Sequence, residues 1–360
     1  MGLRFLKRGG AAAAAIAMAA TLAACGGSDA SSTDSGAAAS GGDTTTGKVT
    51  IASYGGDYQK AQAEAYWKPF IKANPGFQVT EDSPSDNAKI RAMAESGNVT
   101  WDLVLVDDSF GLDSHAKYLE PIDYTNINKA DFLPGYAGKY RIGADVEATV
   151  LAYNKDKVKN APAGLKDFFD TQKIPGKRSA WKYVAGGILE AALLADGVPA
   201  EQLYPLDVDR ALKKLDTIRD DIVWWTEGAQ SQQMLSSGET PLGFVWTGRA
   251  VDAAETGAPI DIDWTQWLTQ NGWWVIPKGS PNKAAAQKLI DYMVSPEAQA
   301  NMTKYLPYGP PNTKANAKVD PKYKDLLPTN HLDGRIEIDF KWWADNYDAV
   351  DKKFQAWLLG

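Results

Sequence analysis

Two adjacent carboxylates, Asp107 and Asp108, are the residues of this sequence best placed for acid–base chemistry. They follow an apolar run at residues 101–106 that has the composition of a buried strand. Two carboxylates can cleave a glycosidic bond when they flank it on either side. Neighbouring residues at a strand end point to opposite sides, so only one of this pair can face a cleft. Capping of the turn before Ser109 is an equally good use for either carboxylate.

Other catalytic and cofactor-binding patterns are missing from the sequence. The two histidines, His115 and His331, lack metal-ligand spacing, and the single cysteine cannot complete a zinc site. No GxSxG motif supplies a nucleophile for a histidine-dependent triad. The pair Gly55-Gly56 lacks the lysine and the spacing of nucleotide-binding loops. We therefore expect neither a metal nor a cofactor.

The single cysteine, Cys25, follows a short leader. Three cations lie within residues 1–8, and residues 9–20 form an alanine-rich apolar run that is too short to span a bilayer. Residues 22–25, Leu-Ala-Ala-Cys, resemble a bacterial lipobox. The resemblance implies a signal peptide at residues 1–24, acylation of Cys25, and attachment to the extracytoplasmic face of the cell membrane.

The segment after Cys25 consists only of Gly, Ala, Ser, Thr and Asp up to residue 47. Such a composition buries no apolar surface, so we predict a flexible, lipid-anchored linker at residues 25–47. Residues 48–360 are long enough for two domains. The formal net charge of −7, with three cations in the leader, argues against nucleic acid as a partner. All 13 tryptophans lie in this folded part, where they can pack in a core or hold cations.

Alternating strand and helix patterns predict an α/β fold. Strands at residues 48–52, 77–80 and 101–106 alternate with helices at 58–73 and 86–95, which is a βαβαβ order. Ligands of such sheets bind beyond the carboxyl ends of the strands, here residues 53–57 and 107–110.

The same pattern begins again after a mid-chain strand at residues 150–154, which implies a second domain of mostly parallel strands. Its expected helices cover residues 164–171, 184–195 and 207–220, and its expected strands cover residues 222–226, 241–246 and 273–277.

Six motifs carry a family resemblance. They occur, in order, at residues 53–58 (SYGGDY), 101–104 (WDLV), 151–154 (LAYN), 244–249 (FVWTGR), 274–279 (WVIPKG) and 308–312 (YGPPN). Together they resemble extracellular solute-binding proteins of ABC importers, in the spermidine/putrescine-binding branch.

The resemblance implies a type II periplasmic-binding-protein-like fold with a ligand cleft between two lobes. Residues 48–148 and 274–319 would form lobe 1, and residues 149–273 and 320–360 lobe 2. The strands at 150–154 and 273–277 become hinges for closure over the solute. The expected partners are a small-molecule solute and an ABC permease with its ATPase, the binding subunit itself being a monomer without catalytic activity.

The resemblance also assigns ligand-binding residues. They are Ser53, Tyr54, Asp57, Asp108, Phe110, Trp225, Trp246 and Tyr308. Three acids of the polyamine binders are replaced here by Val184, Gly187 and Gly272, and Arg249 stands where that branch has a small residue. A long polycation needs a carboxylate at each end. An amine with fewer charges, such as a zwitterion whose carboxylate pairs with Arg249, therefore fits better.

Two other functions remain open from the sequence. A lipid-anchored secreted hydrolase could use Asp107 or Asp108 with a further carboxylate, and it would consume its ligand. A sensor-coupled binding protein would share every feature of the transport protein. A polyamine remains an alternative to the zwitterionic solute.

Replacement of the anchor residue tests the membrane attachment. We expect Cys25→Ala to release the protein from the membrane fraction without unfolding it, because the linker separates the anchor from the folded part. Membrane fractionation with a folding-sensitive assay on both fractions is the measurement. A variant that stays fully membrane-bound would contradict the lipoprotein interpretation.

Overall fold

The structure, a computed structural model, describes residues 46–360. The expected signal peptide, Cys25 and almost all of the linker lie outside the described residues. The described part belongs to one compact unit. None of its helices combines the length and apolarity needed to cross a bilayer.

Ten strands of the described part form one mixed sheet. They are β1 (Gly47–Ala52), β2 (Phe77–Asp82), β3 (Leu103–Val106), β4 (Leu119–Glu120), β5 (Ile142–Asn154), β6 (Arg178–Trp181), β7 (Ile222–Trp225), β8 (Leu242–Trp246), β9 (Ile260–Pro277) and β10 (Arg335–Ile336). The strand order is β2-β1-β3-β9-β5-β8-β6-β7, with β4 and β10 also paired to β9.

Eleven α-helices cover the sheet within residues 46–360. They are α1 (Gly56–Gln62), α2 (Lys68–Ala73), α3 (Asn87–Ser96), α4 (Ile188–Ala195), α5 (Val208–Asp216), α6 (Gly228–Ser237), α7 (Thr247–Glu255), α8 (Lys283–Met293), α9 (Pro296–Met302), α10 (Pro321–Lys324) and α11 (Phe340–Leu358). The α/β prediction is confirmed, and the first strands and helices lie within a few residues of their expected positions.

The predicted mid-chain strands are only the ends of much longer ones. β5 has 13 residues and β9 has 18, and the two pair antiparallel along most of their length. β5 also pairs with β8, and β9 with β3. The two parallel groups, β1–β3 and β6–β8, are thereby joined into one sheet by antiparallel strands. The expectation of mostly parallel strands holds within each group but not between them.

The buried apolar side chains form two large clusters. One surrounds β1, β3 and the C-terminal end of β9 and extends to α6 and α7. The other lies between α4, α5 and α11 and the face of the sheet that carries Leu242 and Phe244. Two cores on one sheet agree with a two-lobed architecture, whereas the exact lobe boundaries stay a prediction.

Pro69 is accommodated by a π-helical turn. Residues Ala63–Trp67 form this turn between α1 and α2, just before the proline. Proline lacks an N–H, so the carbonyl of Ala65 loses its helical donor. The Asn301 side chain replaces that donor, with its Nδ2 3.1 Å from the Ala65 oxygen. This bond ties the helix to α9 at the point where its regular ladder fails.

The strand β6 is missing from the sequence-based prediction because its first residue is a buried arginine. Arg178 is fully buried and donates to the carbonyls of Phe168, Ile174 and Gly176 at 2.8, 3.0 and 2.5 Å. The guanidinium thus closes the loop before β6. Its charge interrupts the apolar pattern by which a buried strand is recognised.

Arg178 gives a direct test of this packing. We expect Arg178→Met to lower the free energy of unfolding by about 2–4 kcal/mol, because buried carbonyls lose their donors. The neighbouring Lys177→Met, which removes an exposed cation, should cost less than about 1 kcal/mol. Urea unfolding measures both, and equal effects would contradict the structural role of Arg178.

Candidate functional site

The middle of β5 presents three polar side chains on one face of the sheet. Asp145, Glu147 and Thr149 alternate along the strand and therefore point the same way. On β9 their neighbours are Gly272, opposite Asp145, and Gln270, opposite Glu147. On β8, Trp246 lies opposite Thr149. Directly paired residues share a face, so these side chains form a common floor.

Three tyrosines stand over this floor. Tyr54 and Tyr58, at the start of α1, stack with ring centroids 6.1 Å apart, and Tyr308 meets Tyr58 edge-on at 5.6 Å. Val146 and Gly309 exchange two backbone hydrogen bonds of 2.8 Å, which places Tyr308 beside Glu147. The Tyr54 ring is 45% exposed, yet burial and surrounding carboxylates raise its pKa. A ring that is both exposed and crowded by charged groups lines a concave cleft.

Asp145 is held in place by hydrogen bonds. Its carboxylate accepts from the Tyr58 hydroxyl at 2.5 Å and from the Gly272 amide at 3.1 Å. Burial raises the pKa of Asp145 to about 6, although both hydrogen bonds act in the opposite direction. A Cβ at position 272 would lie 2.6 Å from Asp145 Oδ1, so this close approach requires a glycine.

Glu147 has no such support. Within residues 46–360 neither a hydrogen-bond donor nor a cation pairs with its carboxylate. Burial, followed by repulsion from Asp145 and Asp108, raises the pKa of Glu147 well above its usual value. An unpaired half-buried carboxylate between tyrosine rings attracts cations.

The opposite wall of the cleft is a cluster of tryptophans. Trp181 and Trp225 are paired on β6 and β7 and stack at 5.6 Å, and Trp246 meets both edge-on at 4.8 and 5.1 Å. Trp225 is fully buried and supports the other two from behind. A cavity of about 350 Å³ extends from here and is lined by Trp181, Tyr183, Asp107 and Gln270, among others.

Arg249 provides a positive charge near the tyrosines. It lies on α7, where Nη1 is 3.8 Å from the Asp252 carboxylate, and its charge acts to lower the pKa of Tyr308 against the stronger effect of burial. A Cβ at Gly228 would lie 2.5 Å from Arg249 Nε and 3.0 Å from the Trp246 ring. The glycine at the start of α6 therefore lets Arg249 pack beside the tryptophan wall.

Four of the predicted ligand-binding residues are brought together at the cleft or directly behind it, together with Arg249. These are Tyr54, Trp225, Trp246 and Tyr308. The remaining four have side chains engaged in other contacts, and their part in ligand binding stays a prediction.

Ser53 is fully buried and donates to Gln62 Oε1 at 2.6 Å. Asp57 is exposed at the start of α1 and pairs with Lys60 at 3.1 Å. Phe110 is fully buried and packs on His115 at 4.4 Å. The motif at residues 53–58 thus contributes its two tyrosines to the cleft, whereas its serine and aspartate contribute to folding and surface charge.

Asp108 is a buried structural carboxylate. It accepts hydrogen bonds of 2.8 Å from the Asn271 amide, the Asn271 side chain and Trp273 Nε1. Asn271 follows Gln270 on β9 and so points to the opposite face. Burial raises the pKa of Asp108 to about 7 despite these bonds. Of the adjacent pair, Asp107 is the one that lines the cavity.

The sequence-based reasoning missed Asp145, Glu147, Tyr58, Trp181 and Gln270. The alternation Asp145-x-Glu147-x-Thr149 leading into the strand at residue 150 was the available signal. The three replaced acids are explained by packing. Val184 is buried in the core, Gly187 has a φ of +94°, and a side chain at 272 would collide with Asp145.

The pH dependence of stability should expose the unpaired charge of Glu147. Its folded-state pKa lies above the unfolded value, so the folded protein binds the extra proton and stability falls as pH rises through the folded pKa. We expect Glu147→Gln to stabilise the ligand-free protein at pH 8 by about 0.5–2 kcal/mol and to flatten this dependence. The exposed Glu239→Gln is the control. Thermal unfolding between pH 4.5 and 8 measures it, and parallel curves for all three proteins would refute the assignment.

A mixed sheet with two cores and a cleft whose floor is formed by the joining strands defines the class of two-lobed binding proteins. The chain belongs to the family of bacterial extracellular solute-binding proteins, whose model matches residues 65–329. No group of three or more residues suited to a metal ion occurs in the described part.

Similar proteins are known from several bacteria. The chain is 35% identical to a gamma-aminobutyric acid-binding protein of Pseudomonas aeruginosa, over 86% of this chain and 90% of that protein. It superimposes on the structure of the Atu4243-GABA receptor with a TM-score of 0.81 and 40% identity, covering 87% of this chain and 98% of that one. The spermidine/putrescine-binding periplasmic protein of Escherichia coli is 25% identical over 58% of this chain and 62% of its own length. The predicted fold and family are confirmed.

Proposed function

We propose that this protein is the lipid-anchored binding subunit of an ABC importer for a small ω-amino acid, with gamma-aminobutyric acid (GABA) as the simplest candidate. The observation that carries the proposal is the unpaired Glu147 carboxylate, enclosed by three tyrosines, with Arg249 in the same cleft. The similarity to two GABA-binding proteins supports it.

The ammonium group of the solute binds at Glu147. Its charge is neutralised there, and the faces of Tyr54 and Tyr308 add cation–π attraction of about 1–2 kcal/mol each when water is excluded. The positive charge also relieves the repulsion between Glu147 and Asp145. Ligand binding therefore lowers the raised pKa of Glu147 and favours its ionised form.

The carboxylate of the solute pairs with Arg249. The guanidinium and Trp246 both approach Gly228, and the carboxylate partner of Arg249, Asp252, is 3.8 Å away, beyond hydrogen-bond distance. A solute carboxylate can therefore make a closer, bidentate contact. A polyamine would bring an ammonium group to this guanidinium, which disfavours spermidine.

Closure of the cleft follows because the site has residues on two walls. The tyrosines come from α1 and the loop at residue 308, whereas the tryptophans come from β6, β7 and β8. A solute that contacts both walls favours the closed state through its differential affinity, and the permease reads that state. The protein acts as a monomer and releases its ligand chemically unchanged. A hydrolase would return altered ligand, which mass spectrometry of the released solute detects.

Binding assays with a small set of ligands test the two charges separately. We expect Glu147→Gln to weaken GABA by about 2–4 kcal/mol, and Arg249→Gln to do the same while leaving n-butylamine nearly unaffected. GABA affinity of the wild type should fall as the pH drops from 8 to 5.5, because protonated Glu147 cannot pair with an ammonium group. Glu147→Gln should lose that dependence. Isothermal titration calorimetry measures all of these.

The control variant is Glu239→Gln, which removes an exposed carboxylate and should bind GABA like the wild type. Tight binding of spermidine, or equal losses of GABA and butylamine in Arg249→Gln, would contradict the proposed solute class.

A further inference from the structure

The cavity beside the tryptophans is not lined by Glu147 itself but adjoins it through Gln270. Its volume of about 350 Å³ falls in the range of pockets that hold drug-sized ligands. Gln270, which lies directly opposite Glu147, is part of its lining. A substituent on the nitrogen of an amine bound at Glu147 would therefore enter this cavity.

One end of the cavity carries an arginine that makes no ion pair within residues 46–360. Arg91, on α3, lines it and forms no ion pair with any carboxylate of residues 46–360; its guanidinium lies 5.4 Å from the Phe110 ring centroid and 5.9 Å from that of Tyr118. An arginine held on aromatic faces keeps its five N–H donors available for an anion.

His115 stands next to it with an unused polar atom. Its Nδ1 is buried and has no hydrogen-bond partner in the described part of the chain, and the residue lines the same cavity. Burial, then Arg91 and Arg141, lower the pKa of His115, so the ring is neutral at neutral pH and can donate one N–H. Buried polar atoms are rarely left unpaired in native proteins, so this one suggests a ligand.

Asp107 is the acidic residue in the lining of the same cavity. Its carboxylate accepts from the Ser109 amide and hydroxyl at 3.0 and 2.5 Å, and it raises the pKa of Tyr54 and Tyr183. The charged groups that act on the pKa of His115, after burial, are Arg91 and Arg141. Asp107 also acts on Arg141, so the cation of this cavity that has no carboxylate partner is Arg91.

An aromatic wall connects the two ends. Trp181 contacts Tyr183 at 4.7 Å, and Tyr183 contacts Tyr347 of α11 at 5.8 Å. These rings offer apolar surface for a linking chain and no charge to hold it.

We propose that this cavity is a second subsite, in which Arg91 and His115 bind a carboxylate carried on the amine nitrogen of the solute. The inference rests on the proposed function, because it takes the amine at Glu147 as its starting point. The preferred solute is then an N-carboxyalkyl amino acid, with GABA as a fragment that fills only part of the cleft.

Matched ligands isolate the contribution of the second carboxylate. N-(2-carboxyethyl)-GABA is compared with N-propyl-GABA, and N-(3-carboxypropyl)-GABA with N-butyl-GABA, by calorimetry on the purified protein. At one of the two lengths, we expect the carboxylate to bind about 10- to 100-fold more tightly than its alkyl counterpart, the gain of a charge-assisted hydrogen bond.

Variants of the protein then identify the residues that provide this gain in affinity. Arg91→Gln should reduce the advantage to within about threefold and Arg91→Lys should retain part of it, whereas His115→Phe should cause a smaller loss. Lys117→Gln removes an exposed cation that is not part of the cavity lining, so it corrects for net charge and should retain the full advantage. Each advantage is a ratio of two ligands on one variant, so loss of stability does not mimic the effect.

The outcomes are distinct. No advantage at either length, an unchanged advantage in Arg91→Gln, or an equal loss in Lys117→Gln would overturn the second subsite. If the wild type binds GABA but shows no advantage, only the second subsite fails. If no ligand of the set binds, the proposed function fails with it.

Discussion

The antiparallel pairing of β5 with β9 is the contact on which the rest of the molecule depends. It joins two groups of parallel strands that would otherwise form separate sheets, and it does so with long, buried strands. The same register sets Gly272 against Asp145 and Gln270 against Glu147, so the joint between the two halves is also the floor of the cleft. A slip of one residue would turn both carboxylates to the other face.

That arrangement concentrates negative charge at the joint. Asp108, Asp145 and Glu147 all have raised pKa values because they lie within the protein, and each raises the free energy of the ligand-free state at neutral pH. Asp108 is compensated by three donors and Asp145 by two, but Glu147 by none. The ligand-free protein is therefore destabilised at the position where a cation would bind. This is how a binding site obtains affinity from strain in its own structure.

The sequence predicted the fold class and the aromatic walls because both depend on local patterns. Strand-helix alternation is visible in any window of the chain, and Tyr54, Trp246 and Tyr308 occur in motifs of a known family. Local sequence patterns did not identify the acidic residues. Asp145 and Glu147 interrupt the apolar pattern in the first half of their strand. Asp107 and Asp108 are the same residue type and differ only in the side of the strand end on which they lie. The face on which each acidic residue lies depends on strand pairing between residues more than 100 positions apart. A local sequence pattern contains no information about that pairing.

The π-helical turn at Ala63–Trp67 has a consequence for how this cleft can change. Each residue turns an α-helix by about 100°, so the extra residue resets the angular relation between the segments before and after it. Tyr58 faces the carboxylates, whereas Phe70, further along the same continuous helix, packs against Phe77 in the core. A one-residue deletion in the turn would rotate Tyr58 relative to Phe70 without altering a single side chain of the site. An insertion or deletion in this turn, which lies outside the cleft, can therefore change the ligand preference of the protein, as a substitution within the cleft can.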